Sequence, residues 1–154
     1  MAKLIQSDHA KGIQPTPYPG FAGQAVTHRY SIAVPADAGL NDILELACIP
    51  SGCRVAEIVL DADKLDSNGA PTLTLDVGIM SGAFGDADAG RTCGAEFFAA
   101  ATTGQAGGVA RPTLASAYRT AGAATSRAIG VKIKAAAATG AAGTIGLTVT
   151  VVAA

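Results

Sequence analysis

Tryptophan is missing from these 154 residues, and the aromatic side chains are three tyrosines and four phenylalanines. Glycosidases pair two carboxylates with flat aromatic platforms for the sugar rings. Glu45 and Glu57 are placed to meet across neighbouring strands, but no such platform accompanies them. Charge is scarce as well: Asp, Glu, Lys and Arg make up 15% of the chain, below the roughly 25% of an ordinary soluble domain. The net charge is -1 with no block of like charges, which leaves no electrostatic footprint for nucleic acid or an anionic membrane. No apolar run is long enough to span a bilayer, and MAKLIQSDHAKG has no apolar core of signal-peptide length, so synthesis and folding in a cytoplasm are expected.

Cysteine is sparse and odd in number. Cys48, Cys53 and Cys93 are expected as small buried hydrophobes. Cys48 and Cys53 flank a turn, so a bond across it stays open. The spacing C-x4-C, with histidines only at positions 9 and 28, does not make a zinc site. No nucleophile elbow, phosphate-binding loop, dinucleotide fingerprint or H-E-x-x-H occurs. Asp61, Asp63, Asp66 and Asn68, like Asp86 and Asp88, lie in turns at spacings that suit calcium loops poorly, and they are expected to bond their own backbone. No catalytic residue, metal or cofactor is expected.

What the chain does contain is strand pattern. In residues 42–80, Leu73, Leu75, Val77 and Ile79 alternate with Thr72, Thr74 and Asp76, the period of a half-buried strand. Pro50 and Gly52 mark a turn before it, and Asp66 to Gly69 a second, so an antiparallel meander is predicted. Within it Leu44, Leu46 and Cys48 share one face, as do Ala56, Ile58, Leu60 and Ala62. Val55, Glu57, Val59 and Asp61 form a mixed outer face that suggests another layer or subunit. Ala25–Val34 alternates too, with His28 on its apolar side as a core-edge or interface residue. Ile129, Val131 and Ile133, then Ile145, Leu147, Val149 and Val151, complete two further strands. GAEFFAAA at 94–101 is predicted as the short helix. Strands and turn signals at this spacing predict an all-β fold, an antiparallel β-sandwich or jelly-roll-like barrel.

Residues 1–23 stand apart from the single β domain expected over 24–154. Alternate prolines at 15, 17 and 19 cannot supply ladder N–H groups and favour an extended path, which predicts an arm outside the core sheets. Tyr18 and Phe21 at its end need something to pack against, either their own domain or a neighbour. The Gly/Ala/Ser/Thr-rich stretch after residue 101 is long enough to cross between sheets or to make contacts around a symmetry axis. So little charge further suggests that partners bury part of the surface.

The arm ending in Tyr18-Pro-Gly-Phe21, the strand-turn-strand ILELACIPSGCRVAEIVLDAD, the strand TLTLDVGIMSG and the Thr-rich terminal strand together resemble the head decoration (cement) proteins of tailed bacteriophages. The resemblance implies a non-enzymatic virion protein on the capsid exterior. It also implies the major capsid protein as partner, self-association as a homotrimer, and an arm contact through Ile13, Pro15, Pro17, Tyr18, Pro19 and Phe21. Other expectations left open are a head-fibre base or tail protein, and a small-ligand or carbohydrate-binding sandwich resting on Tyr18, Tyr30 and Tyr118.

Overall fold

The computed structural model describes residues 2–20 and 23–154. Among the described residues, nine strands run in the order β1 (Leu4–Gln6), β2 (Ala25–Val34), β3 (Ile43–Ile49), β4 (Cys53–Ala62), β5 (Thr74–Ile79), β6 (Phe98–Ala101), β7 (Gly108–Ala110), β8 (Arg127–Ala135) and β9 (Gly143–Ala153). They form a five-stranded sheet ordered β1-β3-β8-β5-β6 and a four-stranded sheet ordered β2-β9-β4-β7. From β2 to β5 the chain changes sheet at every connection, and β8 and β9 each insert between two earlier strands. The result is an all-β sandwich of two largely antiparallel sheets.

The predicted meander is therefore corrected. β3 and β5 lie in one sheet and β4 in the other, so the Pro50 turn carries the chain between layers instead of closing a hairpin. Gly52 takes the left-handed φ of 72° that this turn needs. Sequence-adjacent strands separate because each buries its apolar face best against the opposite sheet. Leu44, Leu75, Val77, Ile129, Val131 and Ile133 meet Val55, Ile58, Leu60, Ile145, Leu147 and Val149 in one continuous core.

Two β-bulges reset which residues face that core. The first falls between Glu45 and Ala47 against β8, so Leu44, Leu46, Ala47 and Ile49 all join the core cluster while Cys48, opposite Ala128, does not. The predicted shared face of Leu44, Leu46 and Cys48 is thus broken after Leu46. A second bulge between Val55 and Glu57 sends Val55 inward and leaves Ala56 half-buried. The mixed outer face of β4 reduces to Glu57, Val59 and Asp61.

The helix is not at 94–101. Phe98–Ala101 is strand β6 on the sheet edge, and the four-residue helix α1 follows at Thr103–Ala106. Side-chain acceptors pin the 94–101 segment to β5: Glu96 Oε2 accepts Ile79 N at 2.9 Å and Asp76 Oδ1 accepts Ala100 N at 2.8 Å. Phe97 and Phe98 are both buried. The excursion that follows crosses to the second sheet as β7, forms a 3-10 turn at Ala115–Tyr118, and returns as β8.

The outer faces of the two sheets differ. On the five-stranded sheet, the 80–93 loop covers a second small cluster of Ile43, Met80 and Ala128, with Leu4, Phe84 and Cys93 beside it. Glycines in the sheet make room: a Cβ on Gly130 would come within 2.7 Å of the Met80 sulfur, and one on Gly78 would overlap the Gly94 carbonyl. The four-stranded sheet faces out through polar pairs, including Arg29 Nε to Asp61 Oδ2 at 3.1 Å across the middle strand, where Gly146 supplies the gap.

Candidate functional site

The N-terminal segment is the part of the surface that the fold does not explain, and it divides in two. Leu4–Gln6, expected in the arm, is strand β1 and pairs in parallel with Ile43, Leu44 and Glu45. These residues precede the first proline and keep every ladder N–H, which is why they join the sheet. Ser7 ends the strand, donating its N–H to Glu45 O at 2.8 Å and its hydroxyl to Leu46 O at 2.7 Å.

After Ser7 the chain folds into a tight turn. Lys11 N bonds Ser7 O at 2.9 Å, Ile13 N bonds Asp8 O at 2.8 Å, and Gly12 takes a φ of 74°. The turn drives His9 and Ala10 inward. The His9 ring packs edge-on against His28 and Tyr30 of β2, with centroids 4.8 and 4.7 Å away, and His9 Nε2 lies 3.1 Å from His28 Nε2. Its Nδ1 is 3.1 Å from Pro15 O, so the same ring also tethers the start of the proline stretch. Burial raises the Tyr30 phenol to about 12, and burial followed by His9 lowers the proton affinity of His28.

Beyond Pro15 the segment is extended. Thr16 lies beside Cys48, Tyr18 Oη bonds Ser51 O at 3.4 Å, and Gly20 N bonds Gln24 Oε1 at 2.8 Å. Of the residues expected to make the arm contact, Ile13 and Tyr18 are 68% and 60% exposed, Pro15 is exposed, Pro17 is half-buried and Pro19 is buried. Phe21 lies outside the described residues. The segment thus seats on its own domain through His9, Ala10 and Pro19 while holding Ile13 and Tyr18 outward. His28 was legible as a core-edge residue. His9 was not, because its partner is 19 positions away and no periodicity links a turn to a strand.

The other candidate sites come apart. Glu45 lies in one sheet beneath the 80–93 loop and Glu57 in the other, bonded to Arg111, so they do not face each other as an acid and a base. Asp66 is buried, and its oxygens accept five backbone N–H groups, from Asn68, Thr72, Leu73, Ala138 and Thr139, at 2.8–3.2 Å. Burial opposes its charge, yet those donors together hold the carboxyl well below its usual range. Asp63 bonds Thr144 N, and Asp86, Asp88 and Asn68 each bond a backbone N–H two residues on.

All three cysteines are free; burial raises the Cys53 thiol and pushes those of Cys48 and Cys93 up to about 12. None is prepared as a nucleophile.

The tyrosine platform expected of a ligand-binding sandwich is not assembled. Tyr30 is buried, so the three tyrosines cannot form one exposed platform. The gap between the sheets, lined by Val34, Leu65, Leu73, Leu75, Ile133 and Ile145, measures about 10 Å³, at most the space of one water. The large apolar side chains left exposed are Ile13 and Tyr18 on the arm, Leu40 before β3, and Val109, Leu114 and Tyr118 along the excursion from β7 to the 3-10 turn.

No protein-family profile and no curated protein matches the chain. Solved structures do. A chain in the capsid of Ralstonia phage GP4 is 50% identical, with 98% of each chain covered and a TM-score of 0.94. A chain of the cyanophage Pam1 capsid asymmetric unit is 26% identical over 92% of this chain and 93% of that one, with a TM-score of 0.65. A chain of the capsid of Helicobacter pylori bacteriophage KHP30 shares the fold at a TM-score of 0.51 and 14% identity, over 84% and 91% of the two chains. The chain belongs to the family represented in the capsid of Ralstonia phage GP4.

Proposed function

We propose that this protein is a decoration protein of a tailed-phage head, a non-catalytic subunit that sits on the capsid exterior and stabilises the shell. The observation that carries this reading is the 50% identity, over 98% of both chains, to a constituent of a phage capsid. The small, closed sandwich supports it, with its buried carboxylates held by backbone N–H groups or by arginine and its thiols raised by burial. A subunit that binds only the assembled shell shifts the assembly equilibrium toward the intact particle by mass action.

The major capsid protein is the partner, and residues 13–21 are the contact, through Ile13, Pro15, Pro17, Tyr18, Pro19 and Phe21. Pro19 serves that contact from below, by seating the segment. Exposed apolar side chains on a pre-shaped segment bind without the ordering cost of a free tail. The patch of Val109, Leu114 and Tyr118 beside the β7 edge is the surface for contact with further copies, as a homotrimer. Synthesis takes place in the host cytoplasm.

The test is binding of purified protein to expanded shells that lack it. Because β1 belongs to the sheet, substitution is the right probe and truncation is not. The double variant I13D/Y18A is expected to keep its thermal midpoint and to lose at least tenfold in shell affinity. Unchanged affinity would remove the arm from the contact.

A further inference from the structure

The two imidazoles at the root of the arm have a hydrogen-bond arrangement that fixes their protons. Pro15 O can only accept, so His9 Nδ1 carries hydrogen and donates to it at 3.1 Å. In the neutral ring, His9 Nε2 is then an acceptor, and the hydrogen between the two Nε2 atoms, 3.1 Å apart, belongs to His28. One extra proton is tolerated, since His28 can take it at Nδ1 and still donate from Nε2. A second is not: it would set N–H against N–H and one positive ring against another.

We propose that His9 and His28 form an acid-sensitive latch, which holds residues 8–15 against β2 while at least one ring is neutral and releases them when both are protonated. This goes beyond the shell contact and does not depend on it.

The surroundings give the second proton little shelter. On its own segment His9 has Asp8, which is exposed, and Lys11. From β2 come Tyr30, and Arg29 on the opposite face of the strand. β9 places Val149 opposite His28, and β3 brings Cys48, near Tyr30. Among the described residues no carboxylate forms an ion pair with either ring. Burial and the neighbouring His9 both lower the proton affinity of His28. The docked form therefore favours the neutral ring. Its stabilisation is whole above the ordinary histidine range near about 6.5 and is lost as the pH falls below it.

The test uses the full-length protein alone, followed by NMR between pH 7.5 and 4.5. At pH 7.5 the side-chain nitrogen shifts should report His9 protonated at Nδ1 and His28 at Nε2, with contacts between the His9 and Tyr30 rings. At the acid end those ring contacts should vanish. The amides of Lys11, Gly12 and Ile13 should exchange at least tenfold faster after correction for intrinsic rates, while β9 amides keep their protection. H28Q, which cannot be protonated, should flatten this pH response. Three outcomes would overturn the latch: ring contacts that survive full protonation, an H28Q variant with the wild-type response, or β9 protection lost in step with the arm, which is global unfolding.

Discussion

Glu45 and Arg91 are 46 residues apart in sequence and form an ion pair, Nη1 to Oε1 at 2.8 Å, in which both side chains are almost wholly buried. Glu45 also accepts Gln6 Nε2 at 2.6 Å and Gly85 N at 3.0 Å, and Arg91 donates to Ser81 O and Asp86 O. One carboxylate thus ties the 80–93 loop, β1 and β3 together. Breaking such a pair from one side leaves an uncompensated charge inside the protein. Arg91→Met is expected to cost roughly 3–5 kcal/mol in denaturant unfolding, while E45Q/R91M together should cost less than the sum of the single changes. Additive costs would mean that the two charges do not compensate each other.

Asp66 performs the same service for the opposite end of the sandwich, with backbone donors in place of a cation. Its folded carboxyl is held below the usual range, so its contribution to stability is whole above about pH 4 and is lost as the pH falls toward the depressed value. D66N keeps the shape but turns an amide NH2 toward backbone N–H groups. The thermal midpoint should fall by at least about 5 °C at pH 7, and the gap to wild type should narrow at pH 2–3. A gap that stays constant with pH would contradict the ionised role.

Overpacking checks how closely the loop lies on the five-stranded sheet. Gly78→Ala places a methyl against the Gly94 carbonyl, which is backbone and cannot step aside cheaply. A loss of roughly 1–3 kcal/mol is expected, against little change for Gly69→Ala, where nothing lies within 4 Å. Equal effects at both positions would mean that the loop does not press on Gly78.

Thiol accessibility gives a chemical check. With Cys48 and Cys93 pushed up to about 12 and Cys53 raised and buried, a disulfide reagent at pH 8 should label the native protein far more slowly than the three thiols of the unfolded chain. Rapid labelling of a native thiol would contradict this burial.

The alternation of β2, β5, β8 and β9 was legible because the apolar residues that each sends inward, such as Leu75 and Val77 or Ile129, Val131 and Ile133, keep a spacing of two, so the period maps directly onto inside and outside. β3 and β4 were legible as strands, in phase at Leu44 and Leu46 and at Ile58, Leu60 and Ala62 but out of phase at Cys48 and Ala56. One extra residue at Glu45/Ala47 and at Val55/Glu57 exchanges the faces beyond it, and local composition carries no mark of it. Sheet membership was hidden for a different reason: a Pro-x-Gly turn has the same residues whether it closes a hairpin or hands the chain to the other layer. The helix at 94–101 failed because helix propensity is a weak prior beside two carboxylates that capture backbone N–H groups. Of the arm, the extended path beyond Pro15 follows from its alternate prolines. The His9 anchor depends on a contact that only the fold creates.

The most direct test of the decoration role is stoichiometry. Quantitative mass spectrometry of purified particles from the source should find this chain in numbers comparable to the major shell subunit, as coverage of a whole lattice requires. A handful of copies per particle, or none, would contradict it.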